Sequence, residues 1–208
     1  MRRSAALDLE PMLASAADPA GGDEVAGRIL DAAAELVTKH GLRRCSVEEI
    51  AERSGLGRTT VYRRFDSRDQ ILQAVLAREV RRFFTAITEA VATRGTIEDR
   101  VVEGFLAGLH AVQRSVLPSL AHEEPELLRM VTTEGGPVIA AARDFLVAEL
   151  RRATGKRVNR RAAPVAEVLV RLAISFSLAP ESVIPLHDEK ASRVALHDLL
   201  DPLLRGGR

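Results

Sequence analysis

The twenty residues from Ser46 to Phe65, SVEEIAERSGLGRTTVYRRF, constrain the fold more than any other stretch of this chain. Ser46 and Glu49 stand three apart, the spacing of a capping box. Each side chain can satisfy a backbone N–H of the other residue that a first helical turn leaves unpaired. The helix that starts there is cut short by Ser54-Gly55-Leu56-Gly57. Gly55 can take the left-handed conformation that a tight turn between helices demands. A second short helix begins near Arg58 and ends near Phe65. Ala51 is small enough to let the two helices cross closely, and Ile50, Leu56 and Val61 can share one apolar contact. The spacing predicts a helix-turn-helix whose second helix presents Arg58, Thr59, Thr60, Tyr62, Arg63 and Arg64. Such a helix fits the major groove of DNA, with base contacts from its N-terminal part.

The remaining chain also reads as helix. The sequence has one Tyr, six Phe and no Trp, with 14 Gly and 9 Pro. A β-rich protein needs more aromatic, β-branched and turn residues. Ala, Leu, Arg and Glu dominate instead, and all favour helices. Residues 1–22, Ala-rich with Pro11, Pro19 and Gly21-Gly22, read as a flexible arm. Asp23 is a suitable N-cap for a helix to about His40, with Ile29, Leu30, Ala33, Leu36 and Val37 at helical spacing and Gly41 placed to end it. Asp66 and Ser67 can cap a long helix from Arg68 to about Thr93. Further amphipathic helices are expected near 97–116, 119–131, 135–154, 162–179 and 188–204, separated by Gly and Pro signals. The expected organisation is all-α: an arm over 1–22, a helix-turn-helix domain over 23–67 and a larger helical domain over 68–208.

Several function classes are excluded on chemistry. The single cysteine, Cys45, allows neither a disulfide scaffold nor a cysteine-rich zinc site, and it reads as a packed residue rather than a redox switch. The histidines at 40, 110, 122, 187 and 197 lack tight ligand spacing, and His122-Glu123-Glu124 reads as a solvated helix start. No phosphate loop, nucleophile elbow or zinc-hydrolase motif occurs, so no catalytic residue, metal or cofactor is expected. The most apolar stretch, Val165 to Ala179, is broken by Glu167 and Arg171 and is shorter than the ~20 residues of a membrane span. The first residues lack the apolar core of a signal peptide, and a cytoplasmic location is expected. Thirty basic against 29 acidic residues give a net charge of +1, which argues against indiscriminate nucleic-acid coating. Locally the balance differs: Leu56 to Arg68 holds four arginines and one acid, a net +3. Phosphate neutralisation by such residues supplies non-specific affinity.

Arg28-Ile29-Leu30-Asp31-Ala32-Ala33, Gly41, Ser46 to Ala51, Gly55 to Phe65 and Ser67-Arg68-Asp69 together resemble the DNA-binding domain of TetR (tetracycline-repressor) family regulators. The resemblance covers about residues 24–72 and implies a homodimer on double-stranded operator DNA, with half-sites about one helical turn apart. It implies base reading by Thr59 and Arg63, and phosphate contact or positioning by Arg58, Thr60, Tyr62 and Arg68. Arg64 could do either, and Ser46 would be both cap and backbone contact. Gly57 departs from the serine common in the family and cannot cap with a side chain. The acids Glu48, Glu49 and Glu52 must face away from the phosphates or meet repulsion.

The resemblance also implies a small-molecule effector in the C-terminal domain, which would tilt the long helix and shift a dimer between DNA-fitting and non-fitting states. Candidate lining residues are Phe84, Phe105, Leu109, Met130, Val131 and Phe145, with His110 as a polar handle. The scarcity of Tyr and Trp favours an aliphatic or acyl-type effector over an aromatic one. The last two helices would form the dimer interface through Val168, Leu169, Leu172, Phe176, Leu196, Leu199 and Leu200. The rival expectation is a helical small-molecule-binding or enzymatic protein whose helix pair serves protein contacts.

Overall fold

The structure, a computed structural model, describes residues 23–41, 45–92, 95–119, 128–129, 132–154 and 160–205. Helices and short connections account for these residues, with no strand among them. The helices are α1 (Glu24–His40), α2 (Val47–Ser54), α3 (Arg58–Arg64), α4 (Arg68–Ala92), α5 (Ile97–Gln113), α6 (Gly136–Thr154), α7 (Ala162–Leu178) and α8 (Glu189–Arg205). Residues 1–22, expected as an arm, and most of the helix expected near 119–131 lie outside the described residues.

Side-chain caps set most of the helix starts. The Asp23 carboxylate accepts from the Val25 and Ala26 N–H groups at 3.0 and 3.2 Å. Gly41 closes α1 at φ 74°, its N–H returning to the Val37 carbonyl. The Ser46–Glu49 capping box is formed at the start of α2. Thr96 and Asp99 make a second such box at the start of α5, one that the sequence reading passes over. α5 ends at Gln113 rather than near 116, with Arg114 as its C-cap.

The helices form two compact units, each with its own core. The first ends at Arg82 and also takes in the chain from Ser115; the second holds Phe83–Arg114 and the chain from Glu126. Ile29, Leu30, Val37, Ile50, Val61, Ile71 and Val75 are among the most deeply buried apolar side chains of the first. This unit runs past the boundary at 67/68 expected from the sequence, since the first half of α4 buries Ile71, Ala74 and Val75 and ties back to α1. The tie is Arg78, whose Nη1 lies 2.8 Å from Asp31 Oδ1 of α1. Arg78 is buried, as is its neighbour Glu79, and desolvation lowers its pKa. No sequence pattern marks that buried guanidinium.

In the second unit Val102, Phe105, Leu106 and Leu109 of α5 cluster with Leu169 of α7, Leu186, and Leu196 and Leu200 of α8. The second half of α4 crosses α5 at two glycines. A Cβ at Gly104 would stand 2.8 Å from Val91 Cγ2, and one at Gly108 would stand 3.1 Å from Ile87 Cδ1. Only glycine permits that approach without displacing a branched side chain.

Candidate nucleic-acid interface

The turn between α2 and α3 orients the rest of the site. Gly55 sits at φ 66°, ψ 29°, in the left-handed region. Its N–H returns to the Glu52 carbonyl at 3.1 Å, and that of Leu56 to the Ala51 carbonyl at 3.0 Å. From α1, Arg28 Nη2 donates to the Ser54 carbonyl at 2.6 Å. One arginine of the supporting helix therefore fixes the turn, and a Cβ at Gly55 would come within 3.1 Å of it. Ile50 and Val61 are fully buried and Ala51 and Phe65 nearly so. This locks one face of α3 inward. Arg58, Thr59, Tyr62, Arg63 and Arg64 are exposed on the other, with Thr60 half-buried between them.

The arginines of this element are not equally available. Arg58 forms an ion pair with Glu48 of α2. Arg64 Nε lies 3.2 Å from Asp23 Oδ2, at the cap of α1. Arg68 Nε donates to the Cys45 carbonyl at 2.6 Å and so fastens α4 to the segment before α2. Arg63 alone of the four makes no ion pair among the described residues. The local +3 of the sequence is thus reduced by acids from α2 and from the α1 cap. Arg64 and Arg68 serve the fold in this geometry, and Arg58 would have to leave Glu48 to meet a phosphate.

Ser46 is likewise committed. Its Oγ accepts from Glu49 N–H at 3.2 Å and donates to Glu49 Oε2 at 2.7 Å. A hydroxyl has one donor, so a phosphate contact from Ser46 would cost the cap. Glu49 is folded into that box, and Glu48 is turned onto Arg58. Gly57 caps α3 without a side-chain bond. A Cβ there meets nothing within 4 Å, so serine would fit. Cys45 is fully buried, and burial pushes its thiol pKa up.

A second clamp joins α1 and α2. Arg53 Nε donates to Glu35 Oε2 at 2.7 Å, its Nη2 also pairs with Glu35 Oε1, and Lys39 Nζ reaches Oε1 at 2.6 Å. The hydrogen bonds from Arg53 and Lys39 hold the Glu35 carboxyl down at about 2. A carboxyl whose folded pKa is depressed contributes stability above its unfolded value and loses it as pH falls through the folded one. The Glu35→Gln variant should therefore show a flatter loss of stability between about pH 4.5 and 2, read by circular dichroism. An acid limb identical to wild type would remove the clamp from the account.

The other candidate residues lie in the second unit. Phe84 of α4 and Phe145 of α6 meet edge to face at 4.3 Å, and Phe83 packs on Phe84 at 5.1 Å. His110 is half-buried on α5. Phe105 and Leu109 belong to the core cluster, with Phe105 edge to face on Phe176 at 6.4 Å. Met130 and Val131 lie outside the described residues. Among the residues expected at a dimer interface, Leu169, Leu196 and Leu200 are buried within the subunit, and Phe176 packs against the same cluster. Their helix faces turn inward, so they have little area left for a partner. Val168, Leu172 and Leu199 stay exposed, as do Val194 and Leu203.

Two short helices about a glycine turn, braced by a third and presenting Thr59, Tyr62 and Arg63 outward, define a helix-turn-helix DNA-binding regulator. The family profile "Bacterial regulatory proteins, tetR family" matches residues 29–75, and "Bacterial Tetracyclin repressor, C-terminal domain" matches residues 85–197, more than half of the chain. The chain belongs to the TetR family of ligand-responsive, DNA-binding transcriptional regulators. It is 29% identical over 185 residues to an HTH-type transcriptional regulator of Mycobacterium tuberculosis, covering 88% of this chain and 76% of that one. It is 24% identical over 161 residues to the regulator AlkX of the same organism, covering 74% and 75%. Among solved structures it is similar to the TetR-family repressor AlkX from Dietzia, with TM-score 0.58 and 28% identity over 86% of this chain and 96% of that one. Among the described residues no helix is long and apolar enough to cross a membrane.

Proposed function

We propose that the chain is a homodimeric repressor that leaves its operator when a small apolar effector binds among the helices of the second unit. The observation that carries the DNA half is the uncommitted outer edge of α3. Thr59 and Arg63 are the base readers in this reading, with Thr60 and Tyr62 on the phosphates. Arg58 joins them after releasing Glu48, while Arg64, Arg68 and Ser46 hold the frame. The apolar effector rests on the half-buried Phe83–Phe84–Phe145 edge-to-face series, with His110 as a polar group on neighbouring α5. The similar AlkX of Dietzia is described as implicated in biodegradation of n-alkanes, in keeping with an apolar ligand. The dimer rests on the exposed Val168, Leu172, Val194, Leu199 and Leu203, more apolar surface than two helix faces in water need.

A gel shift on the DNA upstream of the chain's own gene, with a salt series, tests the core of this reading. A steep salt slope with sequence preference is expected, and no shift would support the rival helical binding protein. Long aliphatic compounds should release the DNA; release only by planar cationic compounds would overturn the apolar effector. Sedimentation should give a dimer at micromolar concentration.

The Glu48→Gln variant tests the Arg58 gate. Removing the competing carboxylate frees one guanidinium for a phosphate, so the salt slope on non-specific DNA should steepen by about 0.9. An unchanged slope means Arg58 does not reach the backbone.

A further inference from the structure

A buried arginine of the first unit has one edge that the fold does not use. Arg78 of α4 is only 9% exposed. Its Nη1 lies 2.8 Å from Asp31 Oδ1 on α1. Its Nε and Nη2 are both closed to solvent, and neither has a hydrogen-bond partner. Glu79 Oε1 stands 3.9 Å from Nε, beyond hydrogen-bond reach, and Arg82 Nη1 already holds that oxygen at 3.0 Å.

The fold gains little from this arrangement. A buried donor without an acceptor is destabilising, and here two share one guanidinium. Asp31 and Arg82 are well exposed, so water screens their charges. Glu79 is as buried as Arg78 but answers to Arg82. Desolvation outweighs both acids and lowers the Arg78 pKa. The guanidinium thus has less negative charge around it than its burial demands. An apolar side chain would serve the packing of α4 as well or better.

The free edge has a definite shape. Nε–H and Nη2–H point the same way, side by side, from the planar guanidinium, and this fork matches the two oxygens of a carboxylate. The same molecule uses that fork twice elsewhere. Arg53 holds Glu35 through Nε at 2.7 Å and through Nη2. Arg193 holds Glu103 through Nε and through Nη2 at 3.3 Å. In both cases the two nitrogens take the two different oxygens of one carboxylate. At Arg78 the same fork is buried and has no acceptor.

We propose that the Nε–Nη2 edge of Arg78 is a binding site for the carboxylate of a small organic acid. A carboxylate supplies both acceptors in one plane, and with them the negative charge that Asp31 and Glu79 fail to provide. A phosphate dianion would bring a second charge beside buried Glu79, which nothing there offsets. Exposed Asp31 and Arg82 mark the side open to solvent, and the Arg82 guanidinium draws an anion towards it. The site lies within the first unit, on the joint between α1 and α4, apart from the apolar effector proposed for the second. Through α1 it is tied to the reading pair, because Arg28 fixes the α2–α3 turn and Glu35 clamps α2. An acid seated here gives the DNA-reading unit a ligand of its own.

The test uses the full chain and acetate, which is little more than the carboxylate. In nitrogen-15 spectra of the arginine side chains, the Arg78 Nε–H signal is the one absent from Arg78→Lys. Acetate titrated against chloride at constant ionic strength should move that signal downfield to saturation and raise the unfolding temperature. Arg78→Lys keeps the charge and loses the fork, so its acetate affinity should fall about tenfold or more. Arg78→Met removes the orphaned donors and should keep wild-type stability while losing the acetate response. Glu79→Gln removes the neighbouring charge and should tighten acetate. An Arg78 signal that acetate does not move overturns the proposal, as does acetate stabilisation that survives in both Arg78 variants. Equal affinity for inorganic phosphate also overturns it, since the edge would then take any oxyanion. Acetate has no apolar tail, so none of these outcomes bears on the aliphatic effector.

Discussion

Replacing Tyr62 and Arg63 together by alanine should abolish operator preference while leaving helicity and dimerisation unchanged. Both side chains are exposed, on the outer face of α3, and neither braces the fold. Tyr62 is 46% exposed even without DNA, and Arg63 makes no ion pair among the described residues. The core contacts of α3 come from Val61 and Phe65, which the variant keeps. A good base-edge contact discriminates by about 1–3 kcal/mol, and a charge-assisted bond to a phosphate adds about 1.5–3. Losing one of each implies a fall of about two to four orders of magnitude on operator DNA. The effect on random DNA and on its salt slope should be small, because Arg63 reads a base in this assignment and Tyr62 carries no charge to release a counterion. Arg64→Ala is the informative control. Its guanidinium faces the Asp23 carboxylate, so it should cost some stability at the start of α1 and little specificity. Operator affinity equal to wild type in the double variant would sink the assignment of α3 as reading helix.

The helix-turn-helix was legible because its determinants are local. A capping box, a glycine that must adopt positive φ and three apolar residues at fixed spacing each act within a few residues, and all point the same way. What the sequence could not reveal is where charges find partners. Asp23 and Arg64, Glu35 and Arg53, and Arg28 and the Ser54 carbonyl are far apart in sequence and meet only after α1 packs on α2 and α3. The +3 counted along α3 was therefore true of composition and misleading about availability. In the second unit the difficulty was of another kind. Leu169 and Leu199 are both leucines on amphipathic helices, and periodicity marks a helix's apolar stripe without saying which edge meets the core. Leu196 and Leu200 took the inner position on α8, and Leu199 and Leu203 were left outside.

That division predicts opposite behaviour for two leucines of the same unit. Leu109 is fully buried in the cluster formed by α5, α7 and α8. Truncation to alanine should leave a cavity, because the surrounding leucines belong to three different helices and cannot all move inward. The expected cost is about 2–5 kcal/mol, seen as a lower denaturation midpoint at every protein concentration. Leu199→Ala removes a side chain that is 52% exposed in the subunit, so the subunit alone should lose only about 0.5 kcal/mol or less. If that face meets a second copy, the loss appears instead in association. The midpoint of a dimer rises with protein concentration because folding and assembly are linked, and Leu199→Ala should flatten that dependence. Denaturant titrations of both variants at two concentrations separate the cases. If Leu109→Ala costs less than about 1 kcal/mol, position 109 borders space that can adapt, and Leu109 returns to the effector site. If Leu199→Ala leaves the concentration dependence intact, the exposed edges of α7 and α8 are not where two copies meet.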